Sequence, residues 1–193
     1  KADSNVAFRA AFEAGKEVAW TPKNMWRANA GVRAGGTPVT MARAQAGSLC
    51  VLTTRLPEDS ESQRFINGVF IIEESYPGNQ GRFKGEEDAG WVNAHKEYRL
   101  ALPDKVAKDF LYWNYQANAR QADVAKWGSG LFRYLSDTVA MQILKDLANL
   151  KLPKAAQETA RAMLAHFAEL NRMDPADVAA PAGALKQQAE DVV

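Results

Sequence analysis

The sequence predicts an α+β fold: a small bent antiparallel β-sheet, or partly closed barrel, covered by N-terminal and C-terminal helices. Three observations predict it. Short apolar runs rich in β-formers gather between residues 47 and 102, and helical patterns occupy both flanks. Nothing alternates strand with helix as a parallel sheet requires. No internal repeat is present. Strands this close in sequence pair most simply antiparallel, and flanking helices would cover edges that otherwise invite aggregation.

Taken in order, Ser4 is an N-cap candidate for a short helix in which Phe8 and Phe12 share a face, with Gly15 as its stop. A brief strand follows at Glu17-Val18-Ala19-Trp20, and Pro22 opens a second helix through Asn24-Met25-Trp26-Arg27, ending by Gly31 or Gly35-Gly36. Residues 47–55 (GSLCVLTTR) form the clearest strand. After a polar loop, residues 64–74 (RFINGVFIIEE) form a second, and Gly68 inside it signals a bulge or sharp bend. Residues 75–92 read as a long glycine-rich loop, of the kind that often carries function. Strand character resumes at Tyr98–Leu102, and from Pro103 a helical stripe is expected through Val106, Phe110 and Trp113. Trp127–Leu135 is an aromatic, glycine-rich turn. Ser136 or Asp137 caps a helix with Val139, Ile143, Leu144 and Leu147 inward, and a last helix from Pro153 turns Ala160, Met163, Leu164, Phe167 and Leu170 inward. The tail after Asp174, with Pro175 and Pro181, is expected to be loosely held. Residues 1–150 are expected to form the α+β domain, and 151–193 a C-terminal helical extension or a linker to a further domain.

Composition narrows the function classes. With 47% hydrophobic and 24% charged residues and a net charge of +1, the 193-residue chain is neither disordered nor fibrous. No apolar stretch approaches the ~20 residues of a membrane span, and no signal-peptide core opens the chain. The single cysteine, Cys50, excludes an internal disulfide; it reads as a buried, inert thiol and favours a reducing compartment, so the expected localisation is cytoplasmic. Because the chain begins at Lys1 rather than Met, it is expected to be a fragment, with any catalytic part elsewhere.

Catalytic patterns are missing. The two histidines, His95 and His166, accompany no HExxH and no paired Cys/His set, so neither a metal nor a cofactor is implied. His95, in a polar stretch, reads as a surface residue and His166 as structural. Gly128-Ser129-Gly130 lacks the GxSxG spacing of a nucleophile elbow, and neither a P-loop nor GxGxxG occurs. Glu73 and Glu74 are neighbours on a strand and point to opposite faces.

Charge distribution and aromatics say more. From Lys16 to Arg55 six basic residues (Lys16, Lys23, Arg27, Arg33, Arg43 and Arg55) stand against one acid, Glu17, while the acids cluster later at 58–61 and 86–88. Such a field orients a polyanion. Trp20 and Trp26 lie inside the basic stretch, and Tyr76 and Trp91 flank the long loop. A nucleobase stacks on an aromatic face for ~1–3 kcal/mol while cations hold its phosphates. Trp113, Trp127, Phe132 and Tyr134 read instead as packing residues.

Residues 47–52 (GSLCVL) followed by 64–72 (RFINGVFII) resemble the PUA-like superfamily, the group holding PUA, ASCH, EVE, YTH and SRA domains, in which a glycine-led apolar strand precedes an apolar–glycine–apolar strand of a bent barrel. Val18-Ala19-Trp20 is similar to the first strand of EVE-type domains. The likeness spans roughly residues 16–102 and leaves the helical C-terminal part outside. It implies a nucleic-acid reader and, in the EVE, YTH and SRA branches, a reader of a modified base flipped into an aromatic pocket. Bacterial members are often fused to nucleases in modification-dependent restriction systems.

The expected function is therefore nucleic-acid binding without chemistry, with DNA favoured over RNA, no membrane partner, and a fused nuclease domain or a second copy of the chain as further partners. Trp20, Trp26, Tyr76 and Trp91 are the stacking candidates. Lys23, Arg27, Arg33, Arg43, Arg55 and Arg64 are the phosphate candidates, and Asn67 and Ser75 candidates for a base edge. Two other readings stay open. A protein-interaction module would dock through its C-terminal helices and show an exposed apolar stripe from Pro153 to Leu170. An enzyme would need a deep pocket gathering His95 with an acid.

Overall fold

A run of eight buried residues, Phe65 to Ile72, organises the chain. It opens the strand Phe65–Tyr76 (β3), whose neighbours are Arg27–Asn29 (β1), Leu49–Thr54 (β2) and Trp91–Ala101 (β4). The computed structural model describes residues 14, 25–82, 84–128 and 130–190. The expected helix from Ser4, the strand 17–20, and Trp20 and Lys23 with them lie outside the described residues. All pairings are antiparallel in the order β1-β4-β3-β2, and the sheet curls as a half-barrel. The α+β class and the small curled sheet agree with the sequence.

An antiparallel strand alternates when one of its faces is wet; from Val69 to Ile72 β3 is apolar at every position because both faces are covered there, and it turns polar and exposed at Glu73–Ser75. Val69 and Ile71 join one core with Leu100 and Leu102, while Phe70 and Ile72 join a second with Val92 and Ala94. The pairing shifts where Leu52 faces Gly68 but Thr53 faces Ile66, leaving Asn67 as the extra residue. That extra residue reverses the parity of the strand, so Ile66 falls into the same core as Val69. A Cβ on Gly68 would stand 2.6 Å from the Met25 methyl, a second reason for glycine there.

The first core is closed by helices. Asp137–Asn149 (α2) and Lys154–Asn171 (α3) pack on each other, α3 also lies on β4, and Ala184–Glu190 (α4) meets the turn at Tyr112–Asn114. A single turn, Asp104–Ala107 (α1), leaves β4. Ser136 caps α2 as expected, its hydroxyl accepting from the Val139 amide at 3.2 Å. Met141, Ile143, Leu144 and Leu147 of α2, Met163 and Phe167 of α3 and Ala184 of α4 share this core with the sheet. The second face is covered by a loop, through Ala30 and Met41, with Trp26 and Phe132 against it.

Four local expectations need correction. The helix expected to run on through Arg27 does not: its start lies outside the described residues, Met25 is helical, and β1 takes over at Arg27, which faces Asn93, with Asn29 facing Trp91. The stripe Val106, Phe110, Trp113 is not one helix: after α1 the chain runs back along the start of β3, with Phe65 bridging Leu111 and the Tyr112 amide donating to Arg64 O at 2.9 Å. The long loop shrinks to 77–90, because β3 continues to Tyr76 and β4 begins at Trp91. The tail is held: the Gln142 amide donates to Ala179 O at 2.9 Å, Lys145 Nζ to Val178 O at 3.2 Å, and Ala184 is fully buried.

Candidate functional site

The outer side of β2 forms one wall of a cleft of about 1690 Å³; loop residues 41–48 and segment 127–135 form the rest of its rim. Four predicted phosphate candidates, Arg27, Arg43, Arg55 and Arg64, line it, together with Arg133; the lining acids are Glu61, Glu86 and Asp137. The large hydrophobic residues exposed among the described residues are Leu131, Tyr134 and Leu170, and all three line this same cleft. Isolated surface apolars are ordinary, but three in one concavity are not scattered.

The arginines are held in two ways. Arg27 and Arg43 are exposed and lie against aromatic rings: Arg27 is 4.7 Å from the centre of Trp91, and Arg43 is 4.8 Å from that of Tyr134, whose hydroxyl accepts from the Arg43 amide. Arg55 and Arg64 converge on Glu61. Arg64 grips that carboxylate with Nε and Nη2, the latter at 3.0 Å, and Arg55 Nε lies 3.4 Å from it. The Trp113 indole donates to the same carboxylate at 3.2 Å, and Arg64 lies 4.4 Å from the centre of Trp127. Arg133 staples the rim, donating to Asn118 Oδ1 at 2.9 Å and to Lys126 O at 2.7 Å. Two cations therefore face solvent, and three shape the walls.

The aromatic candidates separate. Trp91 is half-buried on β4 beside Tyr76, at 5.7 Å between rings. Tyr76 itself is buried within the fold, its hydroxyl donating to Asp88 at 2.8 Å; burial first and that bond second raise its pKa above the ordinary tyrosine value. Trp26 is half-buried edge-on to Phe70 with Arg99 above it, and is not among the cleft residues. Arg33 is exposed in a turn away from the cleft. Asn67 is buried at the β3 bulge and Ser75 exposed at the end of β3; neither lines the cleft.

Chemistry beyond binding finds few groups in the cleft. Cys50 lines it half-buried, and burial pushes the thiol up to about 12, so it stays protonated near neutrality. His95 lies elsewhere, where β4 bulges between its pairings with Phe70 and Ile72. It stacks on Tyr98 at 4.7 Å, and Tyr98 stacks on His166 of α3 at 4.2 Å. Among the described residues no group of three or more His, Cys, Asp or Glu could hold a metal ion, and no helix is long and apolar enough to cross a membrane.

Trp127 and Phe132 pack against the two cores as expected, but Tyr134 is exposed, and all three line the cleft together with Leu131 and Arg133. The signal was there: a glycine-rich aromatic stretch that fits neither helical nor strand periodicity. The outer face of α3 carries Lys154, Glu158, Arg161 and Glu169 between alanines, with Leu170 at the cleft. Comparison with family models, with curated proteins and with solved structures finds no match to this chain.

Proposed function

We propose that the chain is a nucleic-acid-binding module of PUA-like type, which receives a base and its flanking backbone in the cleft beside β2 and performs no chemistry itself. One observation carries this reading: exposed arginines and the exposed large apolar residues converge on one concavity. A nucleic acid presents that same combination, an anionic backbone beside flat apolar rings. The size supports it, since a pocket for one small molecule occupies ~300–1,000 Å³ and this cleft is about 1690 Å³. Arg27 and Arg43 are the phosphate contacts, because Arg55 and Arg64 are already tied to Glu61. Tyr134 and Trp127, which line the cleft, replace Trp26, Tyr76 and Trp91, which do not, as the aromatic surface. A modified base in DNA is the preferred ligand, on the strength of the resemblance over residues 16–102, and a fused nuclease would act on what the module finds.

The test is fluorescence anisotropy on short duplexes, with and without base modifications, over a salt series. Binding that weakens as salt rises and favours one modified duplex is expected. Arg43→Ala should weaken binding several-fold on every duplex and reduce the salt slope by about one. Absence of binding to DNA and RNA at low salt would overturn the proposal.

A further inference from the structure

Three buried tyrosines pack in the fold, and two of them use their hydroxyls. Tyr76 donates to Asp88 at 2.8 Å and Tyr115 to Asp146 at 2.7 Å. Tyr112 is buried to the same degree, at 2% exposed. Its Oη is the one buried side-chain polar atom among the described residues with no hydrogen-bond partner. Buried hydroxyls are normally paired, and leaving one unpaired costs about 1–3 kcal/mol. Tyr112 also lines the cleft.

The residue cannot easily turn away. Its amide is fixed to Arg64 O, and its ring is wedged between Trp113 at 5.3 Å and Trp127 at 5.4 Å. The hydroxyl lies in the field of Arg133, Arg64 and Glu61, three other groups of the cleft wall. Burial outweighs the two arginines and raises the phenol to about 12, so near neutrality it has a proton to donate.

We infer that the Tyr112 hydroxyl is a ligand-reading donor: it gives its hydrogen bond to an acceptor, a carbonyl oxygen or ring nitrogen, on the edge of a base that enters the cleft beside Trp127. This assignment rests on the nucleic-acid reading above for the class of ligand, but not for the existence of the contact. A polar group built to meet a ligand discriminates by what it leaves unpaired, so a base lacking an acceptor at that edge is rejected.

Tyr112→Phe removes the hydroxyl and little else. Thermal unfolding without ligand should give a melting temperature equal to or above that of the unaltered chain, since no internal bond is lost. A fall of several degrees would mean the hydroxyl has a structural partner and would overturn the inference. Binding is then compared for both proteins on two probes: deoxynucleoside 5′-monophosphates, followed by tryptophan fluorescence, and the short duplexes used above. A loss of about tenfold in the variant, on whichever probe binds, is expected. Equal affinity overturns the Tyr112 assignment and leaves the nucleic-acid reading standing. Binding of monophosphates but not of duplexes, weakened by the variant, keeps the assignment and removes that reading. Binding of neither probe overturns both.

Discussion

The carboxylate of Glu61 receives Arg64, Arg55 and the indole of Trp113, the last from 52 residues away. In the sequence it is one acid among several in a polar loop, and its partners are set by tertiary contacts that no spacing encodes. Trp113 is core as expected, though not through the helical stripe that suggested it, and Cys50, expected to be buried, is half-buried. The tyrosines lead to a prediction that composition could not supply. Burial raises Tyr112 to about 12 and, with the bond to Asp146, raises Tyr115 well above the ordinary 10.0. A phenol that stays protonated longer in the folded than in the unfolded chain stabilises the fold fully below pH 10, and that contribution is lost as pH rises above it. Urea unfolding at pH 8, 10 and 11 should therefore show constant stability to about pH 10, then a fall steepened by about 1.4 kcal/mol per pH unit for each such tyrosine. Tyr115→Phe should remove one share of that slope. A flat profile between pH 10 and 11 would contradict it.

Among the elements, β2, β3, α2 and α3 could be read because their periodicity is imposed by burial, and burial is what the pattern of apolar residues records. Gly68 announced the β3 bulge for the same reason, since a missing side chain inside a strand needs a steric cause. The stretch Phe110 to Trp113 misled because apolar residues three and four apart also suit a turn followed by an extended run. Only pairing with β3, through Phe65 and Leu111, decides between them. The C-terminal tail reads as loose for a similar reason: its prolines are visible locally, whereas the contacts that hold it, to Gln142 and Lys145, lie far off in sequence. Gly183 tests that correction. A Cβ there would stand 2.3 Å from Trp113 O and 2.5 Å from the Tyr115 amide nitrogen, all backbone neighbours that cannot swing aside. Gly183→Ala should therefore cost about 1–3 kcal/mol, as overpacking does, and show a lower urea midpoint. If the midpoint is unchanged, the tail does not hold the turn that carries Tyr112.

At the scale of the whole molecule, a sequence order of helices, strands and helices is enough to give the α+β class. What covers each face of the sheet is not written there: a loop covers the Phe70 face, and helices on both sides of residue 150 cover the Val69 face. The cleft inherits this arrangement, taking one wall from β2, one from segment 127–135 and its apolar end from Leu170 of α3. Division of the chain at residue 150 can thus be put to experiment. Without residues 151–193, the core around Ile66, Val69 and Trp113 would lose Met163 and Phe167 of α3 and Ala184 of α4. Fully burying a Met or Phe side chain is worth about 1.5–3 kcal/mol, and a domain holds only about 5–15 kcal/mol in total. A chain ending at Leu150 is therefore expected to keep helical circular dichroism but to unfold without a sharp transition and to bind the dye ANS. A sharp urea transition at the midpoint of the full chain would instead make 151–193 a separable extension. Leu170 would then belong to a movable rim of the cleft, and ligand affinity in the shortened chain would measure what that rim contributes.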